Sequence, residues 1–281
     1  MTRATYKFAE LDQDIFKTLK NLDYQPKVIF DVGASNGYWS WLIREIVPEA
    51  EYHLFEPLVD YIPSYQTIMQ SNLAACPSFT LHKYGLGSQN SEMEMSLFSE
   101  GFGSTLISMP ENQELQRISV PILTLDDAMK KFNLPQPNVI KADIQGFELE
   151  MLKGAQETLV NVDLLLLETW LYRGYGQECA LLFEIMSWLA KFGFYLWDYG
   201  DCYREENGKL QTIDCVFANS RTFPAMAQTS LYKPQIDESE KKALQAENQI
   251  LQQEIAAMKS SKFWKLRSQW FRVKKMFSLK I

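Results

Sequence analysis

Short apolar or β-branched runs alternate with longer amphipathic stretches along most of this chain, and that rhythm constrains the fold more than any other feature. VIFDV (28–32) precedes WSWLIREIV, YHLFE (52–56) precedes VDYIPSYQTIM, and FTLHKY (79–84) follows. The order returns with VIKADI (139–144) before ELEMLKGAQETLV and DLLLLE (163–168) before LLFEIMSWLAKF. Alternation of this kind predicts an α/β fold, a mostly parallel sheet with helices on both faces. Ligands of such sheets sit at the carboxyl ends of the strands, near the point where strand order reverses. Between Ser91 and Val120 the rhythm breaks: EMEMSLF predicts one extra strand, and SEGFGSTL a loop overhanging that point. FYLWDY (194–199) and CVFAN (215–219) are expected to close the sheet as an antiparallel pair.

A chain of 281 residues, 46% of them hydrophobic, can bury a sizeable core. Its four cysteines form no CxxC pair and no cluster with histidine. Neither a zinc site nor a disulfide framework is predicted, and a reducing, cytoplasmic setting is expected. No apolar run reaches the ~18 residues that span a bilayer, and the N-terminus has no signal-like apolar core. Charge is unevenly spread. Residues 259–281 hold eight basic and no acidic side chains, so a whole-chain charge of −7 leaves −15 on the first 258 residues. That surplus argues against a nucleic-acid partner for the main domain.

The expected organisation is an N-terminal helical segment (1–24), the α/β domain (25–223), a linker (224–236), a short coil-like helix (237–258) and a basic amphipathic helix (259–281). Leu244, Leu251 and Met258 recur every seven residues with Asn248 and Ile255 between them, a heptad register suited either to a homodimer or to a helix docked on its own domain. Phe263, Leu266, Trp270, Val273 and Phe277 line one helical face flanked by lysine and arginine. Such a helix suits peripheral contact with the inner face of a membrane, an acidic partner, or the acidic main domain.

DVGASNGYWS (31–40) is the loop that follows the first strand. A triphosphate loop needs G-x-x-x-x-G-K-[ST], and the lysine is missing. In the dinucleotide fingerprint the second glycine admits a pyrophosphate, and here Ser35 stands in its place. S-adenosylmethionine (AdoMet) has no pyrophosphate and carries a cationic end. A looser Asp31-x-Gly33-x-x-x-Gly37 loop suits it, with Asp31 expected to meet the positive end. Glu56 ends the second strand, where its carboxylate can accept both ribose hydroxyls. Gly85-Leu86-Gly87 allows close approach of the backbone to an adenine edge, which adds Leu86 to the expected cofactor contacts beside Ser35.

Together with VIKADIQGFELEMLKGA (139–155) these features resemble the FkbM-type AdoMet-dependent methyltransferases. That family's apolar-K-x-D-x-x-G-x-E-x-x-x-L-x-G run is matched by Lys141, Asp143, Gly146, Glu148, Leu152 and Gly154, and its LTLDD element by Leu123 to Asp127. The resemblance covers about residues 25 to 220. It implies a class I methyltransferase fold with a seven-stranded sheet, and methyl transfer to a hydroxyl of a sugar, polyketide or related natural product. Carried over residue by residue, it implies cofactor contacts at Asp31, Gly33, Gly37 and Glu56.

A neutral hydroxyl must lose its proton as it is methylated, so a carboxylate or a metal is expected near the acceptor. Asp143 and Glu168 stand at neighbouring strand ends and are the candidates to orient the acceptor, act as base, or share a divalent cation. An ion pair between Asp143 and Lys141 is the structural alternative for the first of them. Glu148 is placed to cap the following helix. His53 and His82 fall inside strands and are expected in the core. The competing reading is a catalytically silent AdoMet-binding or docking module. No NPPY-like run follows VIKADI, and Cys76-Pro77 lies before the third strand, so an oxygen acceptor, on a small molecule or glycan, is favoured.

Overall fold

Val28–Val32 (β1) buries every one of its residues, as the central strand of a sheet covered on both sides must. Its side chains alternate between two separate cores. Ile29 packs in one, and Val28, Phe30 and Val32 in the other. The computed structural model describes residues 3–98, 103–108 and 115–223. The expected linker, coil-like helix and basic helix of residues 224–281 lie outside the described residues.

After α1 (Arg3–Asn21) and β1 the order is α2 (Tyr38–Arg44), β2 (Glu51–Phe55), α3 (Pro63–Ala75), β3 (Phe79–His82), β4 (Gly85–Leu86), β5 (Ser91–Leu97) and β6 (Gln116–Leu123). There follow α4 (Leu125–Phe132), β7 (Val139–Ala142), α5 (Glu148–Lys153), α6 (Gln156–Leu159), β8 (Leu164–Trp170), α7 (Leu182–Leu189), β9 (Phe194–Arg204) and β10 (Leu210–Asn219). Seven strands form one sheet in the order β3-β2-β1-β7-β8-β10-β9. β1, β2, β3, β7 and β8 run parallel, while β10 is antiparallel to both β8 and β9, as expected for the class I methyltransferase fold. Side chains of α1, α2 and α3 pack in one core, and those of α4 through α7 in the other.

Two sequence expectations change. The Ser91–Val120 region holds more than one extra strand: β5 and β6 pair antiparallel, and β6 also pairs with β4, making a second, three-stranded sheet. EMEMSL alternates well enough to read as a strand alone, but its partner QRISVPIL contains Pro121, which disguises it. The strand bearing Glu168 also runs on to Trp170, because pairing with β10 continues through Thr212.

The LTLDD element is structural. Thr124 caps α4 by accepting from the Asp127 N–H at 3.1 Å, and the Asp126 carboxylate accepts from the N–H groups of Glu157 and Thr158 at the start of α6. His53 and His82 are buried as expected, 3.0 Å apart between ring nitrogens.

Candidate functional site

Strand order reverses between β1 and β7, and the cleft opens beyond their carboxyl ends. Gly33 follows β1 at φ +71°, and a Cβ there would lie 2.1 Å from the Asp143 carbonyl oxygen. Only glycine lets the two strand ends approach this closely. The loop is then tied to β2: the N–H groups of Gly33 and Ala34 donate to the Phe55 carbonyl at 3.0 and 3.1 Å. Ser35 takes a left-handed φ of +52°, which turns its N–H onto Glu56 Oε2 at 2.8 Å. The Leu58 N–H holds the other carboxylate oxygen at 2.8 Å.

Asp31 and Gly37 lie behind the cleft surface. The parallel register sets Asp31 opposite Lys141, whose Nζ lies 3.1 Å from Asp31 Oδ1 and also donates to the Gly33 carbonyl at 3.1 Å. Ser40 Oγ donates to Asp31 Oδ2 at 2.8 Å, and Asp31 is wholly buried. Its expected meeting with the positive end of a cofactor gives way to an ion pair that fixes the loop from beneath. The same pairing removes the alternative of a Lys141–Asp143 ion pair, since the lysine reaches sideways to its register partner on β1. Gly37, at φ +79°, starts α2 against Met69, Leu54 and Asn72.

The remaining expected residues line two connected chambers. A slot of about 120 Å³ is bounded by Phe55, Glu56, Leu58, Tyr65, Leu86, Leu106 and Ile144. A larger chamber of about 740 Å³ is bounded by Asp12, Tyr38, Trp39, Lys141, Glu168, Trp170, Tyr175, Tyr203, Gln211, Thr212 and Asp214. Gly33, Ser35, Gly103, Asp143 and Gln145 line both and mark the junction. Gly103 and Leu106, from the described part of the SEGFGSTL segment, line the site.

At the junction Gln145 joins the two candidate carboxylates. Its Nε2 donates to Asp143 Oδ1 at 2.7 Å and to Glu168 Oε2 at 3.1 Å, and its Oε1 accepts from the Tyr175 hydroxyl at 2.7 Å. Thr105 Oγ1 donates to the Gln145 carbonyl at 2.9 Å, holding a backbone at φ +56° that L side chains rarely adopt. Glu148 secures the same turn. Its Oε1 accepts from the N–H of Ile144 at 2.9 Å and of Gly146 at 3.3 Å, so it ties down the loop ahead of α5.

The electrostatics follow from burial. Desolvation lifts Glu56 to about 7 and Glu148 to about 8, despite the backbone donors that oppose it. Burial, then the neighbouring Asp143, Glu148 and Asp214, hold Glu168 well above the usual carboxylate range. Asp214 is raised in the same way, by burial first and Asp143 next. Burial would lower Lys141, but Asp31 and Asp143 raise it above its ordinary value, so it stays charged.

AdoMet fits this donor set. The apolar slot with one buried carboxylate, already desolvated and anchored at Glu56, suits an adenosine whose ribose hydroxyls donate to it. The carboxylate-lined junction suits a sulfonium and an ammonium. Among the described residues, no group of three or more His, Cys, Asp or Glu is gathered so as to hold a metal ion. Reading the sequence missed Gln145, Tyr175, Asp12 and Asp214. Gln145 lies inside the KADIQG run and was within reach; the other three carry no local signal.

A family model described as the methyltransferase FkbM domain matches residues 31–196. The chain is 26% identical over 159 residues to the hexuronic acid methyltransferase AglP of Haloferax volcanii, covering 56% of this chain and 62% of that protein's length. It is 24% identical over 213 residues to methyltransferase sdnD of Sordaria araneosa, covering 64% of this chain and 80% of the relative. Among solved structures it is similar to methyltransferase FkbM from Methylobacillus flagellatus KT, at 17% identity and a TM-score of 0.44, covering 69% of this chain and 43% of that one.

Proposed function

This chain belongs to the FkbM methyltransferase family, and from that premise we propose that it is a methyltransferase acting on a hydroxyl of a sugar, glycan or secondary metabolite at the Asp143–Gln145–Glu168 junction. One observation carries the reading: a carboxylate from each of two neighbouring strands is held by a single amide where the adenosine slot opens into the larger chamber. The name of the Haloferax relative, a hexuronic acid methyltransferase, supports a sugar acceptor.

AdoMet, held by Glu56, Leu86 and the Gly33–Ser35 backbone, would supply an already activated methyl group. The chain has three tasks. Asp143, with one oxygen engaged by Gln145, keeps the other to accept the acceptor's proton. Glu168, held well above the usual carboxylate range by burial and its acidic neighbours, orients the acceptor through a hydrogen bond. The Gly103–Leu106 segment excludes water, so alignment and desolvation supply much of the rate.

Calorimetry with AdoMet, followed by mass spectrometry of acceptor panels, tests the reading. Purified protein should bind AdoMet, and Glu56→Ala should abolish that binding with the fold intact. Absence of heat with the wild-type protein would overturn it. Binding without transfer to any sugar or polyketide hydroxyl would favour the silent docking module.

A further inference from the structure

The connection from β8 to α7 packs on the same turn that carries the proposed chemistry. Gln145 and Gly146 stand there at φ +56° and +91°, two successive left-handed residues. The Ala180 N–H donates to the Gly146 carbonyl at 3.3 Å, and a Cβ on Gly146 would lie 2.8 Å from Cys179 Sγ. Arg173 braces the connection itself, donating to the Gln177 carbonyl at 3.1 Å and to Glu184 Oε1 of α7 at 2.6 Å. Within this frame Tyr175 stands edge-on to Trp170, with ring centroids 4.9 Å apart, and to Phe98 at 6.2 Å. Its hydroxyl lies 2.7 Å from Gln145 Oε1 and 3.0 Å from the Gly103 carbonyl oxygen. The last torsion of a glutamine is broad, so its amide is fixed by what it bonds to rather than by its own rotamer. Asp143 and Glu168 hold the nitrogen end of this amide, and Tyr175 holds the oxygen end.

We propose that Tyr175 is a positioning residue for methyl transfer: its hydroxyl fixes the Gln145 amide, and through that amide it fixes Asp143 and Glu168 relative to one another. This role rests on the methyltransferase reading above. Without the hydroxyl the oxygen end of the amide is released, and both N–H···O contacts loosen together. Burial first, then Glu168 and Asp143, raise the Tyr175 phenol above its ordinary value, so it keeps its proton and remains a donor beside these acids. The same oxygen sets the Gly103 backbone against the amide, so the junction and the neighbouring wall of the chamber meet at one atom. Tyr175 lines the larger chamber and stands outside the walls of the slot, so its loss should spare the cofactor.

The test follows the Gln145 amide directly, by magnetic resonance of the full chain with its glutamine side chains isotopically labelled on nitrogen and S-adenosylhomocysteine bound. The pair of amide signals lost in Gln145→Leu belongs to Gln145. Tyr175→Phe keeps the ring against Trp170 and Phe98, so a merely structural role would leave those signals in place. They should instead shift, and their exchange with water should quicken by about tenfold, the scale of one lost hydrogen bond. S-adenosylhomocysteine affinity in calorimetry should stay within about twofold, because the slot is untouched. With AdoMet and an acceptor panel led by the methyl glycosides of glucose and glucuronic acid, kcat should fall by about fivefold while acceptor KM holds. Adding Tyr175→Phe to Gln145→Leu should slow transfer no further, since the hydroxyl acts only through the amide. Unmoved Gln145 signals in Tyr175→Phe, or a full second loss of rate in the double variant, would overturn the inference and leave the proposed activity standing. Wild-type protein that fails to bind S-adenosylhomocysteine, or methylates no member of the panel although the Gln145 signals respond, would overturn the activity and the positioning role with it.

Discussion

The Glu56 slot is built mainly from strand ends and the loops that leave them, with Tyr65 of α3 and the Gly103–Leu106 segment added, whereas the chamber beyond Gln145 draws Asp12 from α1, Tyr175 from the β8–α7 connection, and Tyr203, Gln211 and Asp214 from β9 and β10. The slot lies inside the stretch of 31–196 that the family shares; Asp12, Tyr203, Gln211 and Asp214 lie outside it. On the proposed reading, cofactor recognition falls to the strand ends inside the family match, while acceptor choice is left to what the flanking elements bring across the cleft. The two halves should fail separately, except at the Gly33 backbone that forms a wall of both.

The largest separation is expected from Asp143→Asn. Methyl transfer should fall by about 10²–10⁴-fold, in the range lost with a general base, while AdoMet affinity stays within twofold. Comparable loss of AdoMet binding in calorimetry would show that the halves are not independent. Gly33→Ala tests the shared wall, because its Cβ would strike the Asp143 carbonyl at φ +71°. Both kcat and AdoMet affinity should drop, the former by about 10²-fold, as expected for a displaced catalytic group. If only one of them moves, the junction does not couple the chambers.

Gln145→Leu should lower kcat by roughly tenfold without changing AdoMet affinity, and Gln145→Glu should not rescue it, since a carboxylate cannot donate to Asp143 and Glu168. A pH series addresses the slot alone. Glu56 titrates near 7, and the ionised form accepts ribose hydroxyls better than the neutral acid. AdoMet affinity should therefore rise by a few fold between pH 6 and pH 8, and Glu56→Gln should be weak and flat across that range. The smallest effect is on stability. Glu148 is raised by burial from its ordinary 4.5 to about 8 in the folded chain. Its contribution is fully present below the unfolded value and is lost as pH climbs through the folded one, so melting temperature should decline toward pH 9 and the decline should be shallower in Glu148→Gln.

Legibility followed the same division. Gly33, Glu56, Asp143 and Glu168 could be read because each follows or sits near the end of an apolar run, and a parallel sheet gathers strand ends of that kind. Asp31 is legible as a strand-end acid, but its partner is not. Its neighbour across the sheet, Lys141, lies 110 positions away, and only the register shows that they pair. Asp12 and Asp214 could not be read at all. Nothing in MTRATYKFAELDQD or TIDCVFAN says that two carboxylates will meet beside Gly200, because that depends on how α1, β9 and β10 pack. Pro121 hid β6 in the same manner: a residue that breaks most strands is tolerated there, in the second sheet.

The left-handed backbone at Gln145 has a further consequence for anyone who would make this protein more robust. A non-glycine residue at φ +56° costs the fold on the order of 1 kcal/mol, and glycine or asparagine would relieve it. Screens that reward heat tolerance would be drawn to this position, and every variant they favoured would cut the amide link between Asp143 and Glu168. A stabilising substitution at Gln145 would thus yield a more durable but slower protein.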